Sequence, residues 1–128
     1  MPPYSLLNPS IEQLVAEIVA VNHAWKEARD LLENASPLAI SLREIKTRLQ
    51  VRLLRSYAPE QVYLELDTKV EQVNGEFDPE AEVGEPLYGL LLREPINGRW
   101  NAEHLPVRVA NEVLSEHELQ LFTRVLSK

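Results

Sequence analysis

Seven apolar residues near the start of the chain alternate three and four positions apart without a break: Ile11, Leu14, Ile18, Val21, Trp25, Ala28 and Leu32. A helix turns once in 3.6 residues, so this spacing gathers all seven into one seam, the pattern of a helix packed along its length on another. Val15 and Val19 widen the stripe. Asn8 with Pro9, or Ser10 with Gln13, supplies the N-terminal cap. Asn34-Ala35-Ser36-Pro37 then breaks the period, with Ser36 placed to cap a second helix and Pro37 at its first position. The second helix carries a main apolar face of Leu38, Leu42, Ile45, Leu49, Leu53 and Tyr57, and Ala58-Pro59 ends it. A connection this short makes the two helices antiparallel neighbours.

After the hairpin the period changes to two. Val62, Leu64 and Leu66 alternate with Tyr63, Glu65 and Asp67, and Thr68 and Val70 extend the row. This predicts a strand over 61–70 with one wet face; a helix over 59–73 is the competing assignment. Asn74-Gly75 is a turn signal, and residues 76–86 form an acidic, irregular loop. Leu87 to Arg93 has strand length and pairs antiparallel with the first strand. Pro95-Ile96-Asn97-Gly98 turns the chain, and Arg99-Trp100 starts a short third strand. A helix near 106–114 follows, and Ser115 with Glu118 forms a capping box for a last helix. The fold class expected is α+β, in one domain over 1–128, in the order ααββαα with two to three strands. Its parts are an arm at 1–7, a helical hairpin at 8–57, a β region at 61–100 and C-terminal helices at 101–128.

The chain carries a net charge of −7, unevenly spread. Residues 1–60 hold seven basic and seven acidic side chains, whereas 61–128 hold six basic and thirteen acidic ones. An acidic body repels phosphate backbones, so nucleic acid is disfavoured outside the first half. There is no cysteine, which removes thiol and disulfide chemistry. No apolar run approaches a membrane span, and Met1 to Ser5 do not begin a signal peptide. A cytoplasmic protein without membrane attachment is expected.

Chemical signatures are sparse. No serine stands in a Gly-x-Ser-x-Gly elbow. His23, His104 and His117 share no helix turn, so no paired-histidine metal face exists. Glu76, Asp78, Glu80 and Glu82 do not follow a calcium-loop pattern. The glycines at 75, 84, 89 and 98 build no phosphate cradle. No catalytic residue, metal or cofactor is assigned, and the reading leans away from an enzyme.

The second helix is the most informative element. Besides its main face it bears a second apolar patch of Ile40, Val51 and Leu54, about 150° around at 100° per residue. Either the rest of the chain covers that patch or a partner does. Between the stripes runs a basic ridge of Arg48, Arg52 and Arg55, and arginine favours interface ion pairs. Arg99 and Trp100 form a second candidate contact, since exposed Trp and Arg are favoured at binding hot spots. The function expected is a non-catalytic protein-binding module: an assembly factor, adaptor or small regulatory subunit. Its partner is another protein or a second copy met through the second helix. The alternatives are a nucleic-acid-associated regulator using the ridge, and a small-ligand or enzyme site near 93–104 built from Arg93, Arg99, Trp100 and His104.

Overall fold

Ser10 and Ser36 each stop a helix's first turn from fraying. The Ser10 hydroxyl accepts a hydrogen bond from the Gln13 N–H at 3.0 Å, and the Ser36 hydroxyl accepts from the Ala39 N–H at 3.1 Å. Helix α1 spans Ile11–Leu31 and α2 spans Pro37–Tyr57, with proline in the first turn of α2. In this computed structural model, which describes residues 9–33, 35–67 and 86–123, the two helices run antiparallel. The Tyr57 hydroxyl donates to the Pro9 carbonyl at one end, Lys46 meets Asn22 midway, and Ala39 packs with Trp25 at the other.

The seam of α1 is as the spacing predicts over most of its length. Leu14, Ile18, Trp25 and Ala28 are buried, together with Val15 and the polar Asn22, while Leu32 at the far end is exposed. Helix α2 departs from its predicted main face. Its buried residues are Ala39, Lys46, Gln50, Val51, Leu53 and Leu54, whereas Leu38 and Ile45 lie in the open. The cause is Trp25. Its indole fills the space between the helices, so only the methyl group of Ala39 fits opposite. The side chains of Arg43 and Lys46 then lie over the ring, 5.3 and 5.5 Å from its centre. Cation–π attraction of about 0.5–2 kcal/mol per pair and the bond from Lys46 Nζ to Asn22 Oδ1, 3.0 Å, favour this rotation over burying Leu38 and Ile45.

Strands β1 (Val62–Asp67), β2 (Leu87–Ile96) and β3 (Arg99–Pro106) form an antiparallel sheet in the order β1-β2-β3. The first strand is thus a strand and not the competing helix, with Val62 opposite Leu92 and Leu64 opposite Leu90. Asn97 (φ 52°) and Gly98 (φ 81°) both take left-handed backbone, the type I′ geometry that joins twisted strands through two residues. Thr68, Val70, Asn74-Gly75 and nearly all of the acidic loop lie outside the described residues, as does the arm at 1–7.

Strand β3 is longer than its sequence suggests. The register slips between Gly89–His104 and Leu91–Asn101, so β3 holds one residue more than β2 there. Glu103 takes a left-handed φ of 68° at this bulge, at a cost of about 1 kcal/mol or more for a residue with a side chain. The bulge puts Ala102 and Leu105, three apart, on the same buried face. That spacing imitates a helix, which is why 101–106 reads as a lead-in to the helices.

Helix α3 (Val107–Val113) follows directly, and α4 (Glu116–Phe122) starts at the complete capping box of Ser115 and Glu118. The observed order is ααβββαα, within the α+β class expected. One core joins Ile18, Leu53, Leu64, Leu90, Leu105, Ala110 and Phe122, so all four helices gather on one face of the sheet. A smaller core of Trp25, Ala28, Ala39 and part of Leu42 closes the far end of the hairpin.

Gln50 fastens the hairpin to the sheet. It is fully buried, and its Nε2 donates to the carbonyls of Ala102 (2.9 Å) and His104 (3.1 Å), on either side of the bulged residue. Gln50→Leu keeps the volume but removes both hydrogen bonds from the bulge, so it is expected to cost about 1–3 kcal/mol. Urea unfolding of the two proteins measures that difference.

Candidate protein-docking face

The far half of the hairpin exposes what the sequence marks for a core. Leu31 is 81% exposed, Leu32 52%, Leu38 53% and Ile45 41%. Leu31 ends α1, Leu32 caps it and Leu38 lies in the first turn of α2, so all three stand at the tip of the hairpin. Leu38 and Ile45 are seven residues apart and share a helix face, on which half-buried Leu42 and Leu49 continue the stripe. Single exposed leucines are ordinary on a protein surface; a contiguous row on one element marks a contact surface. Arg48 and Arg52, one and two turns on from Ile45, are exposed and border the row with positive charge.

The residues singled out from the sequence part company in three dimensions. Val51 and Leu54 belong to the chain's own core. Here the patch containing them is covered from within, because the C-terminal half of α2 lies between α1, the sheet and the last helices. Leu54 is fully buried, and Val51 keeps 9% of its surface, lining an open pocket with Arg48, Arg52 and Arg55. Ile40, at the unpacked end of the same helix, keeps 45% of its surface open. Arg55 stays beside Arg48 and Arg52 but is paired: its Nε and Nη2 donate to the two carboxylate oxygens of Glu118 at 2.8 and 3.2 Å, and Nη2 also reaches the Val113 carbonyl. Asn22, Lys46 and Gln50 are the buried polar residues of the hairpin that sequence reasoning passed over. The available signal was Asn22 on the flank of the α1 seam, four after Ile18 and three before Trp25, a position where a polar side chain needs a partner.

The 93–104 corner does not assemble into one site. Arg93 donates from Nε to the Pro59 carbonyl at 2.8 Å and stacks on Tyr63, 4.1 Å from its ring centre. Arg99 is occupied nearby by the Asn101 carbonyl and amide oxygen and by Glu103. His104 stands on β3, not in a loop, and its Nε2 shares a 2.9 Å hydrogen bond with Asp67 Oδ2 on β1. That bond spans the middle strand, on which Gly89 pairs with Glu65 on one side and His104 on the other. Trp100 remains 58% exposed.

Among the described residues no group of three His, Asp or Glu is placed to hold a metal ion, and no helix is long and apolar enough to cross a membrane. Set against known proteins, the chain matches no family model, no curated sequence and no solved structure.

The Arg55–Glu118 pair gives the fold a pH dependence. Hydrogen bonding from Arg55, then from the Ser115 N–H, holds the Glu118 carboxyl below its ordinary range. A carboxylate lowered in this way stabilises the fold above its unfolded-state value and loses that contribution as pH falls through the lowered one. Glu118→Gln retains the capping box and loses the charge, so its stability is expected to fall less steeply on acidification. The difference is below about 1 kcal/mol for a pair this exposed. Thermal midpoints measured from neutral to acid pH test the slope.

Proposed function

We propose that this chain is a non-catalytic protein-binding module whose docking element is the far half of the helical hairpin. The observation that carries the reading is the exposed row Leu31, Leu32, Leu38 and Ile45 beside Arg48 and Arg52. An apolar stripe bordered by arginines suits a partner segment with an apolar centre and carboxylates at its edge. Helix-on-helix packing is the natural mode, with anchors at positions spaced by three, four and seven along α2. A second copy of this chain has the right charge, since its residues 61–128 carry thirteen acidic side chains against six basic ones. The lack of cysteine suits a reducing, cytoplasmic setting.

The nucleic-acid alternative draws less support. The ridge that would meet phosphates gives up Arg55 to Glu118, and the remainder of the chain is acidic.

Leu38→Glu combined with Ile45→Glu places charges on side chains already in water, so the fold is expected to survive with an unchanged circular dichroism spectrum. The same double variant is expected to abolish association. Sedimentation velocity of the pure protein reads self-association, and affinity capture from native lysate, run in parallel on wild type and variant, reads a foreign partner. A wild-type chain that stays monomeric and is captured alone would sink the proposal. So would a partner retained equally by the variant.

A further inference from the structure

We infer that a second, separate site lies between α2 and the start of α3, and that it binds a small organic phosphate. The cavity measures about 450 Å3, within the range of small-ligand sites. Arg43, Lys46 and Arg48 from α2 and Arg108 from α3 line it, with Glu44 the one carboxylate among the lining residues. The lining residues thus carry a formal net charge of +3 in a chain whose overall charge is −7. Low-dielectric walls around like charges focus an attractive potential on anions.

The inner cations are held in place before any ligand arrives. Lys46 is only 4% exposed and is anchored to Asn22 at 3.0 Å; Arg43 is braced over the face of Trp25 at 5.3 Å. Arg48 and Arg108 stand exposed at the rim, where guanidinium forks can grip two oxygens at once. A phosphate monoester carries about −1.5 to −2 charge near neutral pH, and no singly charged carboxylate matches the lining as well. Ile40 and Val109 add apolar wall, which gives the body of an organic phosphate a surface that free phosphate does not use. Arg48 borders both this pocket and the docking row, but Leu38 and Ile45 are not part of the lining, so their replacement by glutamate tests the row without removing a pocket residue.

Isothermal titration of the full chain with phenyl phosphate, and in parallel with inorganic phosphate, tests the assignment. Saturable one-to-one binding of phenyl phosphate is expected, with inorganic phosphate weaker. Arg48→Ala with Arg108→Ala is expected to raise Kd at least about tenfold by removing two charge-assisted contacts. Arg52→Ala, on α2 but outside the pocket, leaves it unchanged. A second readout uses Trp25 fluorescence in a Trp100→Phe background, where ligand drawn to Arg43 and Lys46 changes the field over the indole. No saturable heat together with unchanged Trp25 emission overturns the site. Equal weakening by Arg52→Ala reduces it to diffuse surface charge and overturns it too. Inorganic phosphate binding as tightly as phenyl phosphate overturns the organic class, leaving free phosphate as the ligand.

Discussion

The indole of Trp25 sets the rotation of α2, and most of what is distinctive in this protein follows from that. Three cations, Arg29, Arg43 and Lys46, lie 5.2 to 5.5 Å from its ring centre. Two come from α2, so that helix cannot turn without withdrawing them. The bond from Lys46 to Asn22 adds a directional constraint where apolar packing alone would tolerate sliding. A hairpin held in this way spends its small residues, Ala28 and Ala39, against the indole. Its larger apolar residues, Leu38 and Ile45, are turned out to water.

The consequence differs along the length of the hairpin. Near the sheet, α2 is enclosed, and Val51, Leu53 and Leu54 all enter one core with β1, β2 and the last helices. Gln50 closes this region by serving the two carbonyls around the bulge in β3. Towards the hairpin tip the helices pack mainly on each other, and Pro106, Arg108 and Val109 approach α2 only across the pocket. Two helices bury one stripe apiece, so further apolar surface there, such as Leu38 and Ile45, remains open. The docking row and the basic pocket occupy this unpacked half for the same geometric reason. The corner at 93–104 shows the opposite outcome, since Arg93, Arg99 and His104 each find partners within the chain.

Local signals were legible wherever the chemistry is local. Ser10, Ser36 and Ser115 mark helix starts because a hydroxyl reaches a backbone N–H three residues on. Asn97-Gly98 marks the hairpin because few residues adopt left-handed backbone so readily. Period two in 62–66 identified β1, and the capping box identified α4. Legibility failed at β3, where one extra residue shifts the alternation and two buried positions fall three apart. It failed again on α2, where Lys46 and Gln50 lie inside and Leu38 and Ile45 outside. Hydropathy ranks side chains by their cost in isolation; the cost of a buried amine or amide depends on the partner it finds.

The sequence by itself determined the α+β class, the helical hairpin, the turn within Pro95-Ile96-Asn97-Gly98 and the segregation of negative charge into the second half. These rest on interactions between residues a few positions apart, or on charge that no fold can remove. The tertiary structure alone decided which face of α2 meets α1, how far β3 extends, and that Val51, Leu54 and Arg55 serve this chain's own interior and ion pairs. Those outcomes depend on Trp25, Asn22, Glu118 and the bulge at Glu103, which lie far along the chain from the residues they direct, so no local period records them.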